Sequence, residues 1–229
     1  MKIRVGTFNL FQFVEPPYCW YTKHERFKQE EWEEKIVWIK NQITEMNCDV
    51  IGFQEVFSKK ALKELLKELG FKYFKTIDGA KTDPKNEFIY ITTTVALASK
   101  YPIKDLTRVE TNHDTVKKHH LNGTFKFARE PIKASIILPN KQEISLYVCH
   151  LKSNRENEFE YIFTENTKNK EKIEKVSKAL KDGYSQSLKQ RLCEASSLYA
   201  NIKKENKPAI LMTDLNDREF SLTIDALTN

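Results

Sequence analysis

The chain has 229 residues, of which 40 % are apolar, 11 % aromatic and 31 % charged. That composition argues against a disordered chain and is enough for one large domain with its own core. The net charge of +6, from 38 Lys+Arg against 32 Asp+Glu, is mild; it admits an anionic substrate such as a phosphate ester without marking a nucleic-acid binder. Four widely spaced cysteines, Cys19, Cys48, Cys149 and Cys193, argue against a disulfide framework or a paired-cysteine zinc site. The opening MKIRVGTFNLF is too short and polar for a signal peptide, and no apolar run approaches the roughly 18 residues of a membrane span, so a cytoplasmic location is expected.

In chain order, KIRVGTFNLF reads as a first strand, with Ile3, Val5 and Thr7 on one side. Residues 25–46 read as a helix, because Trp32, Ile36, Ile39, Ile43 and Met46 recur at steps of three and four. CDVIGFQEV is a buried strand. Ser58 then suits an N-cap for KKALKELLKEL, whose Leu62, Leu65, Leu66 and Leu69 share a face and which Gly70 ends. FKYFKTI, FIYITTTVALAS, GTFKF, PIKASIIL and EISLYVCH follow as short strands, with TDPKN as a loop. Residues 153–185 are rich in Lys, Glu and Asn and read as an exposed insertion with some helix. A helix over 187–204 uses Leu188, Leu192, Ala195, Leu198 and Ile202, and PAILMTD is a closing strand. The middle of the chain lacks the helices that a doubly wound parallel sheet needs. The order therefore predicts a single α/β domain over 1–229, with two mostly antiparallel sheets packed face to face.

Polar clusters close several strands: Asn9 in TFNL, Gln54 and Glu55 in GFQEV, His150, Lys152 and Ser153 in SLYVCHLKS, and Asp214, Asn216 and Asp217 in ILMTDLND. Each alone is ordinary, since Asn and Asp after strands commonly make turns and a lone His is commonly structural. Together they supply hard oxygen ligands suited to Mg2+ or Mn2+, with donors for a phosphoryl group beside them. Glu55 is the simplest metal ligand, being a lone acid at the end of a buried strand.

The series TFNLF, DVIGFQEVF, VALASKYPI, LYVCHLKS and ILMTDLND resembles the endonuclease/exonuclease/phosphatase family in motif order and register over residues 3–217. The TFNLFQFVEPP opening and the insertion after HLKS resemble a bacterial branch of it. The resemblance implies a four-layer sandwich of two sheets with helices outside, and a Mg2+- or Mn2+-dependent hydrolase that cleaves a phosphodiester or phosphomonoester by water attack. Its substrates would be nucleic acid, nucleotide, phospholipid or inositol phosphate. By position, Glu55 would be the principal metal ligand and Asn9 would lie beside the metal or orient its ligand. His150 would bind or protonate the phosphoryl group, Asp214 would orient or activate the attacking water, and Asn216 would hold the phosphate or that water. Arg129 in FAREP and Lys152 would be weaker substrate contacts, Arg129 being as compatible with a surface role.

Departures from the family pattern fall at Thr94 and Thr213, where Gly is common, and at REFS after DLND, where a Pro is common. The larger departure is that the family pattern continues well beyond DLND and closes with an Asp-His pair whose His is the general base, an element typically worth about 10²–10⁴-fold in rate. DREFSLTIDALTN contains no His, and of His24, His113, His119, His120 and His150 only His150 occupies a family position. The reading is accordingly of a C-terminally incomplete domain, weak or inactive by itself, with its last strands absent, an open sheet edge, and a separate chain as one source of the missing strands. The alternative is a non-catalytic phosphate- or partner-binding protein that retains the fold.

Overall fold

The computed structural model describes residues 2–119, 125–154, 167–171, 173–174 and 185–228. In chain order the elements are β1 (Val5–Phe13), β2 (Cys19–Trp20), α1 (Gln29–Met46), β3 (Val50–Val56), α2 (Lys59–Glu68), β4 (Tyr73–Lys75), β5 (Thr82–Asp83), β6 (Asn86–Tyr90), β7 (Thr94–Ser99), β8 (Ile103–Arg108), α3 (His113–Lys118), β9 (Ile132–Ile137), β10 (Glu143–His150), α4 (Gln186–Lys203), β11 (Ala209–Asp214) and α5 (Leu222–Thr228). They fall into two compact units. One is Met1–Val109, Arg129–His150 and Glu205–Asp214; the other is Glu110–Ala128, Leu151–Lys204 and Leu215–Asn229.

The first unit holds every strand found among the described residues. One sheet has the order β1-β3-β7-β4, a second β11-β10-β9-β8, and a small third β2-β6-β5. The sheets are mixed. β1 runs parallel to β3, across the α1 connection, and β10 runs parallel to β11, while the β3–β7, β4–β7, β9–β10 and β8–β9 pairs are antiparallel. Alternation along the strands divides the interior in two. Ile51, Phe53, Ala96 and Ala98 face α1 and α2, meeting Trp32, Ile39, Ile43, Leu62, Leu65 and Leu66. Val50, Val95 and Leu97 face the second sheet, meeting Ile132, Ala134, Ile136, Leu146, Val148 and Met212. Withdrawing each such large side chain from water stabilises the fold by about 1.5–3 kcal/mol. Gly52 lies between the two sheets. A Cβ there would stand 2.7 Å from the Met212 Cβ and 3.0 Å from Val148 Cγ1, so glycine permits the close approach.

α1 begins at Gln29 rather than residue 25; the Lys28 N–H donates to Glu31 Oε2 at 2.8 Å, closing the first turn, and Asn47 ends the helix in a left-handed conformation at φ 47°. Ser58 does precede α2, but its hydroxyl accepts from the Glu15 N–H at 2.9 Å instead of capping the helix. Gly70, at φ 85°, follows that helix. FIYITTTVALAS divides into β6 and β7, and TDPKN forms the β5–β6 turn region. Of GTFKF, residues 125–127 form no strand and the rest lies outside the described residues. Glu205 is held by Lys133, by Ser145 Oγ at 2.6 Å and by the Tyr147 hydroxyl at 2.8 Å. Burial pushes its carboxyl up, but those donors together outweigh burial and hold it at about 2.

The second unit contains α3, α4 and α5. α3 occupies residues to which the sequence assigns no element, and is nucleated by the Asn112 side chain, which accepts from the Thr115 N–H. α4 is capped by Ser185, whose side chain accepts from the Leu188 N–H. Most of the 153–185 insertion lies outside the described residues. No helix among the described residues is long and apolar enough to cross a membrane.

Candidate active site

In the first unit the site is built on an irregularity between β1 and β3. Asn9 pairs with Gln54 and Phe13 with Val56, so four steps of β1 lie opposite two of β3. The surplus is taken up by Phe11 (φ 49°) and Gln12 (φ 59°), and on the other strand by Glu55 (φ 58°). These are left-handed conformations without glycine, each costing on the order of 1–3 kcal/mol, and such strain persists only where the surroundings fix it. The result is a hook over residues 9–12 that turns backbone and side-chain donors onto one carboxylate. The Gln12 N–H donates to Glu55 Oε2 at 2.8 Å, and Asn9 Nδ2 donates to Glu55 Oε1 at 3.2 Å. Gln54, by contrast, points into the interior and exchanges hydrogen bonds with the Thr7 hydroxyl.

Asn9 Nδ2 also donates to Asp214 Oδ2 at 2.8 Å, while Asn9 Oδ1 accepts from the Phe11 N–H at 2.9 Å. The backbone donor on the oxygen and the two carboxylates on the nitrogen orient the amide. Asn9 therefore bridges Glu55 and Asp214 and spaces two negative charges that would otherwise repel. His150 ends β10 directly opposite Asp214 on β11. Its Nε2 is 3.8 Å from Asp214 Oδ2. Only 3 % of the ring is exposed, and Nδ1 has no hydrogen-bond partner among the described residues. Burial lowers its pKa to about 3; the positive charge of Arg129 works in the same direction and Asp214 against both. His150 is thus neutral near pH 7, with one nitrogen able to donate and one able to accept.

The donor set suits a hard cation on one count and is sparse on another. Glu55 and Asp214 offer carboxylate oxygens, and each Glu55 oxygen, though hydrogen-bonded once, keeps a further acceptor direction. Among the described residues no group of three or more His, Cys, Asp or Glu side chains is arranged to hold a metal ion. One or two carboxylates with water and substrate oxygens completing the shell is the arrangement Mg2+ tolerates and Zn2+ does not prefer.

The second unit holds Lys152, Ser153, Asn216 and Asp217, also singled out in the sequence. Asn216, at φ 50°, donates from Nδ2 to the Leu151 carbonyl at 3.0 Å. The Lys152 N–H donates to Glu194 Oε2 at 2.7 Å. Arg191, buried on α4, donates from Nη1 to the Lys152 and Ser153 carbonyls at 3.4 and 3.2 Å and from Nε to Asp217 Oδ2 at 3.3 Å. Burial raises the Asp217 carboxyl, but Thr223, the Arg218 N–H and Arg191 prevail and lower it.

Within the first unit, then, Asn9, Glu55, Asp214 and His150 stand together, with Arg129 near enough for its charge to act on His150. Lys152 and Asn216 are held by α4 and by the Leu151 carbonyl within the second unit. His119 follows α3, and His120 lies outside the described residues. The Gln12 backbone donor leaves no mark in the sequence. Arg191 and Glu194 do: both are charged residues on the apolar side of α4.

A sequence model described as the endonuclease/exonuclease/phosphatase family matches residues 6–228. No curated protein matches the sequence. The structure is similar to the human Nocturnin catalytic domain with bound sulfate anion (TM-score 0.55, 15 % identity, 85 % of this chain and 61 % of that one). It is also similar to D. rerio TDP2 complexed with single strand DNA product (0.54, 11 %, 97 % and 63 %) and to an AP endonuclease from Archaeoglobus fulgidus (0.50, 11 %, 94 % and 58 %). The chain thus spans less than two thirds of each of those structures. The family match over almost the whole sequence and the shared two-sheet fold lead to one conclusion: the chain belongs to the endonuclease/exonuclease/phosphatase family.

Proposed function

We propose that residues 1–229 form part of a single metal-dependent phosphoesterase domain that cleaves a phosphodiester or phosphomonoester by water attack. Members of the family are hydrolases of phosphate esters, and the observation that carries the reading here is the Asn9 amide bridging Glu55 and Asp214 beside a buried neutral histidine. Glu55 would hold Mg2+ or Mn2+, its two oxygens aimed by Gln12 and Asn9. The cation, when bound, would stabilise charge on the phosphoryl and leaving oxygens. His150, neutral, would donate a hydrogen bond to a phosphoryl oxygen rather than deliver a proton to it. Asp214, spaced by Asn9, would orient the attacking water. Arg129 would contact the phosphate. Nucleic acid is a substrate class to test early, since a TDP2 structure of the same fold holds a single-stranded DNA product.

Residues 215–229 contain no His, so the general base of the family pattern is not among them. The polypeptide 1–229 by itself is expected to turn over about 10²–10⁴-fold more slowly than one that carries such a base. That feature also favours a second reading, a phosphate- or partner-binding protein with the same site. One assay separates them: hydrolysis of bis(p-nitrophenyl) phosphate and of single-stranded DNA, titrated with Mg2+ and Mn2+, for wild type and Glu55→Ala. Metal-dependent turnover abolished by Glu55→Ala supports the enzyme. Turnover with metal dependence intact in Glu55→Ala overturns the role given to Glu55. Saturable phosphate binding with no turnover in any arm supports the binder.

A further inference from the structure

Lys35, on α1, is a cation placed against the hook that carries Glu55's donors. Its Nζ donates to the Phe11 carbonyl at 2.8 Å and lies 4.9 Å from the Phe27 ring centroid and 5.7 Å from that of Phe11. Burial lowers its pKa while the charge of Glu55 raises it, so the ammonium and that carboxylate act on one another. Packing anchors both ends of the hook, since Leu10 is buried in the core with α1 and α2 and Phe13 lies 4.8 Å from Trp32, but not its tip. Phe11 is 68 % exposed, so its own packing does little to hold the left-handed backbone. Beyond Glu55, the hydrogen bonds that fix the turn are Phe11 N–H to Asn9 Oδ1, Val14 N–H to the Gln12 carbonyl, and Lys35 to the Phe11 carbonyl. Of these hydrogen bonds, only the last reaches a helix.

We propose that Lys35 is a positioning residue of the Glu55 site: its ammonium locks the Phe11 carbonyl, and so fixes the left-handed Phe11–Gln12 turn whose Gln12 N–H aims Glu55 at a divalent cation. This rests on the reading that Glu55 holds that cation. Lysine suits the task because its aliphatic stem passes the aromatic rings while its head reaches a carbonyl. A packing role alone would be met equally by methionine. Residues that orient a ligand's donors typically matter about 10–100-fold in metal affinity or activity.

The test uses the 229-residue chain as wild type, Lys35→Met, Lys35→Arg, Glu55→Ala and the control Lys40→Met, also on α1, which removes an exposed pair with Glu68 of α2. Mn2+ affinity is read by the EPR signal of free Mn2+, and Gln12 amide hydrogen exchange is read by NMR without metal. Lys35→Met is expected to weaken Mn2+ binding about tenfold and to speed Gln12 exchange. Lys35→Arg, which can reach the same carbonyl, and Lys40→Met are expected to keep wild-type values in both. Unchanged Gln12 exchange in Lys35→Met overturns the inference. So does faster exchange with unchanged Mn2+ affinity, provided Glu55→Ala weakens Mn2+. If Glu55→Ala leaves Mn2+ affinity unchanged, the cation reading fails, and the Lys35 inference falls with it, whereas Gln12 exchange still reports whether the lock exists. Should Lys35→Met not fold, Lys35→Gln is judged by the same criteria.

Discussion

His150 makes a sharp prediction about acid stability. The ring is buried, and its pKa falls from an ordinary 6.5 to about 3, chiefly through burial. A base whose folded pKa is depressed binds its proton more readily in the unfolded chain. Its contribution to stability is therefore complete above about pH 6.5 and is lost progressively as pH falls from 6.5 toward 3. At about pH 4.5 the unfolded histidine is almost fully protonated and the folded one almost fully neutral. At about 1.36 kcal/mol per pH unit, the difference relative to pH 7 is about 2–3 kcal/mol. His150→Gln, which keeps polarity but cannot titrate, is expected to lack that increment. The measurement is urea unfolding of both proteins at about pH 7 and 4.5 in EDTA, where titrating groups that do not interact with His150 are common to the two and cancel. The gap between wild type and variant should move by about 2–3 kcal/mol, in the variant's favour at the lower pH. A gap that moves by less than about 0.5 kcal/mol would mean that His150 is solvated or already charged in the fold, and the description of it as a neutral hydrogen-bond donor would fail.

Asn9→Ala removes the amide shared by two carboxylates; a loss of about 1–2 kcal/mol in metal-free urea unfolding is expected, with a larger part of it recovered by Mg2+ than in wild type. Gly52→Ala drives a methyl into Met212 and Val148, and thermal unfolding should show a loss of about 1–3 kcal/mol. Arg191→Met leaves Asp217 and two carbonyls without their buried cation and should lower stability by about 3 kcal/mol, with Lys152 and Ser153 amides exchanging faster. Phosphodiester hydrolysis that needs Mg2+ or Mn2+ should vanish in Glu55→Ala.

The sequence was most informative where one physical pattern prevailed. Ile39 and Ile43 are buried on α1, and Leu62, Leu65 and Leu66 on α2, because a helical stripe has only one apolar side to bury. The strand-end residues Asn9, Glu55, His150 and Asp214 could be picked out because a strand that stops at a polar residue delivers it to the sheet's rim. The hook could not be foreseen. Phe11 and Gln12 are neither Gly nor Asn, so their own identities announce no left-handed turn; the Asn9 side chain bonds it locally and Lys35 reaches it from α1, 24 residues from Phe11 in sequence. Ser58 illustrates the same limit, since its cap position is correct yet a tertiary donor, the Glu15 N–H, takes the hydroxyl. α3 leaves no signal in the sequence because six residues are too few for a periodic stripe. β2 and β5, two residues each, carry no alternation to detect.

The Asn9–Asp214 hydrogen bond joins positions 205 residues apart. A contact of that span forms late, after the intervening chain has lost most of its freedom. Any cation held between these strands would therefore ignore partly folded chains that lack β11 and reward only those that have docked it. At a concentration about 100 times its dissociation constant, such a ligand deepens the native well by about 2.7 kcal/mol. Metal supply would then set how long a finished molecule survives as well as how fast it works.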